Sequence, residues 1–421
     1  MIDRRAFMMG SAAVTTLAGI ARPVTAAAKR PRIAFLATEI RLHSHAQHFL
    51  DRHAMGYAWG GRWQEPAFDI ASVFIDQHPT GDLGPQRLNK YALKSYPTIA
   101  EALTLGSSQL AVDGVVLIGE HGDYPRNEKG QKLYPRYPWF QQVTAVFRDS
   151  GRSVPVFNDK HLSTQWAECV EMVEQAKELG FAFLAGSSLP VTWRLPAIDM
   201  PWGTPLAESV CVGYGGVDSY DFHALEVAQC MSERRAGGEV GIASVQALQG
   251  ESLWEELAKA ERASTRRLVT AALARSHHLP VVDGYPSAPV SFEWARQAMP
   301  KTIGYLIEHR DGFRTTMLLA PIRDFNYAGL RSDNGEIISC QMYLPMPNQS
   351  ATTADFFNPL ARHIESMMLT GRAPYPIERT LLTSGMVIGG VESLFRDQQL
   401  VRTPEMQVAY TVPPESHFWR E

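Results

Sequence analysis

Apolar positions run without alternation through 32–37, 112–118 and the start of 154–163, the pattern of strands buried on both faces. Residues 68–76 and 181–186 read the same way. Between these runs the apolar residues move to helical spacing, as at Trp166, Val170, Val173 and Ala176, and Gly180 stops that helix. Strand and helix alternating from about residue 30 to 190 predict an α/β, Rossmann-like doubly wound parallel sheet.

Beyond Pro196 the pattern changes. A helix over 220–231, a Gly237-Gly238 break, strand-like residues from 240 and a long helix over 252–277 precede alternating runs at 302–307 and 315–319. Those runs suit antiparallel strands, and helices over 356–369 and 380–395 follow. The second half is therefore expected to be an α+β domain with antiparallel strands. The expected organisation is 1–28 as an export signal, 29–190 as a Rossmann-like, degenerate dinucleotide-binding domain, and 191–421 as a substrate domain.

A chain of 421 residues favours two domains over one core. The formal net charge of −4 and the lack of a basic block give no reason to expect nucleic acid and leave a small molecule as the partner. Asp3-Arg4-Arg5-Ala6-Phe7, a weakly apolar run and small residues through Ala28 resemble a twin-arginine export signal. That pattern implies the twin-arginine translocation machinery as a partner and a periplasmic or otherwise exported location. Cys169, Cys211, Cys230 and Cys340 form no CxxC pair and read as buried fillers.

Chemistry concentrates at the predicted strand ends, where open α/β sheets bind ligands. Asn158-Asp159-Lys160-His161 follows one strand directly, bringing a lysine, a histidine and a carboxylate to the crevice. The plainer reading is a helix cap, with Lys160 in solvent. After the first strand, Thr38 opens a turn without the glycine fingerprint of dinucleotide folds, so side chains stand where backbone would approach a pyrophosphate. Asp76 ends the second strand, where a ribose-binding carboxylate would sit. Glu120 and His121 end the next, and residues 125–140, with Arg136, read as a long active-site loop. In the second half, Tyr220, His223 and Glu226 share a dense polar cluster, His223 and Glu226 falling on one helical face.

The strand at 32–37, the Pro97-Thr98-Ile99-Ala100-Glu101-Ala102-Leu103 step, the strand at 112–118, Asp159-Lys160-His161, the helix at 168–180, His223 and Tyr375-Pro376-Ile377-Glu378-Arg379 together resemble the Gfo/Idh/MocA family of sugar-directed oxidoreductases. The resemblance implies an NAD(P) cofactor held by Thr38, Asp76, Glu120, His121, Asp159 and Lys160. It also implies an open mixed, mainly antiparallel sheet for the second half, and Lys160 and His223 as the acid–base pair acting on a sugar hydroxyl. Arg136, His161, Arg194, Tyr220 and Glu226 are the expected substrate contacts. The chain departs from the family pattern in its first turn, in His161 at the motif proline, and in Glu120-His121.

Two rivals stay open. One is a redox-silent lyase or hydratase of keto-sugars on the same scaffold, aided by a divalent metal on Glu120, His121, His223 and Glu226. The other is a non-catalytic periplasmic sugar-binding protein. His43, His45 and His48 form a further cluster, for a loop-borne metal or phosphate or simply for solvent. Arg234 and Arg235 suit interdomain ion pairs or an acidic substrate. Trp139, Trp193 and Trp202 suit either sugar stacking or packing. A homo-oligomer also stays open.

Overall fold

The computed structural model describes residues 30–281, 290–345 and 353–418. The expected export signal, including Arg4 and Arg5, lies outside the described residues. No described helix is long and apolar enough to cross a membrane.

In chain order the first part gives β1 (Arg32–Ala37), α1 (His45–Met55), a hairpin of β2 (Tyr57–Trp59) and β3 (Arg62–Gln64), and β4 (Asp69–Ile75). There follow α2 (Gly84–Lys90), α3 (Ile99–Thr104), β5 (Gly114–Ile118), α4 (Arg136–Ser150), β6 (Val156–Asp159), α5 (Trp166–Glu178) and β7 (Phe183–Gly186). Five strands pair in the order β4-β1-β5-β6-β7, all parallel. Ser95 adds a single parallel bridge to Val73 of β4. Counting Ser95, the order is the 3-2-1-4-5-6 of dinucleotide sheets, with the third strand reduced to one residue. The strand order reverses between β1 and β5, and the crevice for ligands opens at their carboxyl ends.

The second sheet takes β8 (Arg194–Leu195), β9 (Leu206–Gly213), β10 (Ile242–Gln249), β11 (Ile303–His309), β12 (Arg314–Leu319), β13 (Phe325–Arg331), β14 (Ile337–Met342) and β15 (Val401–Arg402). Its order is β15-β10-β11-β12-β9-β13-β14-β8, and among these pairs only β9–β12 is parallel. The antiparallel strands expected from the alternation, and the mixed sheet that the resemblance implies, are therefore present. Helices α6 (Tyr220–Ser232), α7 (Glu251–Ala258), α8 (Ala263–Leu273), α9 (Phe292–Ala298), α10 (Asn358–Thr370) and α11 (Glu378–Phe395) complete the element list.

Three elements differ from the pattern reading. The long helix expected over 252–277 is two helices, broken where Lys259 turns extended (φ −58°, ψ 152°) and the Glu256 carboxylate gathers Lys259 Nζ at 2.5 Å and Arg262 at 3.0 Å. The loop at 125–140 ends early, because α4 starts at Arg136. The strand at 181–186 begins only at Phe183.

Packing joins the two halves. Phe140, Cys169 and Met172 on the first sheet's helices share one core with Phe222 and Leu225 of α6 and Tyr305 of β11. On the first sheet's other face, Phe356, Phe357, Leu360, Ile364 and Met367 cover Ile33 and Phe35 of β1 and Phe49 of α1. The chain thus returns to its first sheet near its end. Within α11, Gly390 lies so close to the Tyr305 ring that a Cβ would collide with it. Gly390→Ala is expected to cost about 1–3 kcal/mol from overpacking, read as a lower denaturant midpoint with unchanged slope.

Candidate active site

The carboxyl ends of β1, β5 and β6 and the start of α6 meet around one cavity of about 370 Å³. His45, His121, Lys160, Tyr220, His223 and Phe357 border it. Lys160 and His223, expected to meet from two halves of the chain, stand on this same cavity.

Lys160 follows β6 directly in the left-handed region (φ 63°), with its N–H donating to the Gly186 carbonyl at 3.1 Å. His43 (φ 63°) and His121 (φ 71°) share that conformation and also border the cavity. Such backbone strain in non-glycine residues clusters where a site over-determines it. Lys160 Nζ donates to Glu120 Oε1 at 3.0 Å and lies 5.9 Å from the centre of the Tyr220 ring. Arg136 Nη2 holds the second Glu120 oxygen. Burial alone would raise the Glu120 pKa, but Lys160 and Arg136 hold it well below the carboxylate range. Burial would lower Lys160, yet Glu120 and Asp159 raise it, so the cavity contains a fixed ammonium rather than a free base.

His223 sits one helical turn after Tyr220, with ring centres 5.6 Å apart. Burial first, and Lys160 second, push it well below the ordinary imidazole value. His121 is lowered to about 3 and His48 to about 3, both mainly by burial. These rings are neutral at pH 7, able to exchange hydrogen bonds with hydroxyls. The His45 ring meets a carboxylate, its Nδ1 lying 2.8 Å from Oδ2 of the fully buried Asp159.

Several expected contacts are engaged elsewhere. Arg194 is buried against Asp199 Oδ1 at 2.6 Å and the Pro190 carbonyl, away from the cavity lining. Arg136 and His161 bond each other at 2.9 Å beneath Glu120. Glu226 points from α6 to Ser187, accepting from its N–H at 3.0 Å and its hydroxyl at 2.5 Å. The four expected metal ligands are therefore not assembled: Glu226 lies outside the cavity lining and Glu120 is neutralised by two cations. Among the described residues no three His, Cys, Asp or Glu side chains gather as a metal-holding group. Trp139 packs in the core, and exposed Trp202 donates to the Val412 carbonyl.

The loop after β5 also runs the other way across the sheet. Thr38 Oγ1 donates to the Glu120 carbonyl at 2.5 Å, Asp123 N donates to Gln77 Oε1 at 2.8 Å, and Tyr124 Oη donates to Asp76 Oδ2 at 2.5 Å. Residues 120–124 thus pass over the end of β1 as a strap, reaching the end of β4. Beneath the strap, Glu39 is buried and accepts from Arg41 at 2.6 Å.

Sequence reasoning undervalued His45 and missed Phe357. The missed signal for His45 was its cap: Ser44 caps α1, accepting from Gln47 N at 3.1 Å, which puts His45 first on a helix aimed at the crevice.

No family model matches the sequence, and no curated protein does. Solved structures do match, and what this chain shares with them is the fold, a five-stranded parallel sheet followed by a large mixed sheet. GenD2 from gentamicin A biosynthesis, solved in complex with NAD, is 14% identical and aligns over 91% of this chain and 99% of its own, with a TM-score of 0.54. The myo-inositol dehydrogenase of Lactobacillus casei, in complex with NAD(H) and myo-inositol, is 9% identical over 89% of this chain and 97% of its own, TM-score 0.54. A probable dehydrogenase from Thermotoga maritima is 11% identical over 89% and 99%, TM-score 0.52.

Proposed function

We propose that this protein is a divergent Gfo/Idh/MocA enzyme acting on a sugar or glycoside, and that its chemistry takes place in the cavity that Lys160 and His223 share. That convergence carries the reading. The Lys160 ammonium, fixed by Glu120, offers a cation to a substrate oxygen and favours negative charge there. His223 and Tyr220 present neutral polar atoms that can orient neighbouring hydroxyls. The Phe357 ring supplies an apolar wall suited to a sugar face.

A nicotinamide cofactor, as present in the GenD2 and Lactobacillus casei myo-inositol dehydrogenase complexes, would supply the hydride acceptor. Its fit divides at β1. On the cavity side Lys160, His121 and Tyr220 offer a polar, half-enclosed place for the reactive ring. On the other side Asp76 stands at the end of β4 and already accepts a hydroxyl, as it would from a ribose, but the hydroxyl is that of Tyr124. A dinucleotide ribose would be held by Asp76 only in exchange for the Tyr124 hydroxyl that this carboxylate now accepts. The strap, the buried Glu39 and the ionised Glu120 favour a second reading, a redox-silent lyase or hydratase of keto-sugars, which needs only an acid–base pair. We keep the division near residue 190, the twin-arginine export route and the periplasmic location as parts of the proposal, the latter two resting on Arg4 and Arg5.

The test is a panel of inositols, aldoses and glycosides with NAD or NADP, followed by nicotinamide absorbance, and the matching keto-sugars without cofactor, followed by loss of water. Reduction of the nicotinamide is expected with at least one polyol, and Lys160→Met is expected to lower that rate about a hundredfold or more. Turnover of keto-sugars alone would select the second reading.

A further inference from the structure

We propose that His45, oriented by Asp159, is the proton acceptor of this cavity. The inference rests on the sugar reading above and deepens its keto-sugar form, in which the reaction begins by removing a proton from carbon.

Comparison of the cavity's basic groups points to this residue. Lys160 is bound to Glu120 and held as a cation, so it has no lone pair to offer. His223 and His121 each have a buried Nδ1 with no hydrogen-bond partner, and burial keeps both rings neutral. His48 stacks on Phe357 at 4.8 Å with Arg52 beside it, which also disfavours a second proton. Among the described cavity histidines, His45 is the one with a carboxylate on its ring nitrogen. Because a carboxylate accepts, Nδ1–H donates to Asp159, which fixes the tautomer and leaves the Nε2 lone pair for the cavity. The buried carboxylate then stabilises the imidazolium formed when Nε2 takes a proton, the arrangement of a histidine–aspartate dyad.

The surroundings are consistent with such a role. His45 is the first residue of α1, set by the Ser44 cap, and is packed edge-on against His121 (5.4 Å) and Phe357 (5.1 Å). Asp159 ends β6, one residue before Lys160, so a single turn orients the base and supplies the oxyanion partner. His48 on the same helix, His43 in the turn before it, and Glu120, Tyr134 and Tyr220 complete the titratable groups that line the cavity. In the proposed step the C–H bond α to a keto-sugar carbonyl breaks, its proton forms the Nε2–H bond, and its electron pair becomes an enolate whose oxygen faces Lys160. Asp159 acts through His45 and is a positioning residue.

The test uses the full chain in D2O with 2-keto-myo-inositol as probe, following loss of the α C–H signal by NMR, with folding of each variant checked by circular dichroism and thermal melting. The wild-type protein is expected to exchange the proton. His45→Ala should slow exchange about a hundredfold, and added imidazole should restore part of it. Asp159→Asn should lower kcat with little change in KM, whereas His223→Ala should act mainly on KM. His45→Gln provides the check if His45→Ala fails to fold. Wild-type rates in folded His45→Ala or His45→Gln, failure of imidazole to restore exchange, or absence of exchange in the wild-type protein would each overturn the proposal. Exchange that depends on His45 in a protein that reduces no nicotinamide would instead sink the hydride reading and leave the dyad standing.

Discussion

Glu120→Ala is expected to remove about 3–5 kcal/mol of folding stability, the loss seen when one member of a buried ion pair is deleted. Lys160 and Arg136 both converge on this carboxylate, and the side chains of all three are almost entirely enclosed. Without it Arg136 and Lys160 lose their shared carboxylate in a low-dielectric site, and Lys160, left with Asp159 alone, is driven towards its neutral form. Glu120→Gln keeps the volume but not the charge and should lose nearly as much. The exposed Arg296–Glu251 pair is the control, since removing either partner should change stability by less than about 1 kcal/mol. Chemical denaturation of the four variants, compared at equal slope, decides between a structural and a negligible role for the Glu120 cluster.

The second large effect is a pH dependence at Glu226. Burial raises its pKa to about 7, more than the Ser187 hydrogen bonds lower it, and the nearby Asp159 raises it further. A carboxyl whose pKa is higher folded than unfolded binds more protons in the native state. Its contribution is therefore whole below about pH 4.5, falls as pH rises, and is lost above about pH 7. The size is roughly 2–4 kcal/mol, at 1.36 kcal/mol per pKa unit. Glu226→Gln should remove this slope, so the wild-type minus variant difference in unfolding free energy should decline between those two pH values and be flat on either side. A difference that rises with pH would show that Glu226 is ionised in the folded protein.

Much of the architecture was legible because buried parallel strands announce themselves. β1 and β5 are apolar runs with no alternation, and the structure encloses both almost completely. The strand ending at Asp159 was placed for the same reason, and the helix at Tyr220 by a run that the Gly237-Gly238 break punctuates, and with them Lys160 and His223. What was not legible depended on where side chains turn after the strand ends. Nothing in the spacing of Glu226 shows that it faces Ser187 rather than His223's cavity, and Arg194 reads as a substrate cation until Asp199, five residues on, folds back onto it. The break at Lys259 carries no glycine or proline, and only the Glu256 hydrogen bonds reveal it. The strap was the least visible feature, since its bonds join Tyr124 to Asp76 and Asp123 to Gln77, residues 46 or more positions apart.

The late return of the chain to its opening sheet constrains how the protein can be made. Phe356, Phe357, Leu360 and Ile364 close over Ile33 and Phe35, residues synthesised more than three hundred positions earlier. Until that segment leaves the ribosome, one flank of the nascent sheet stays greasy and open, so the amino-terminal half cannot mature ahead of the rest as independent domains commonly do. A fragment ending near residue 190 would carry the same bare flank permanently, and is better regarded as an aggregation-prone piece than as a portable module.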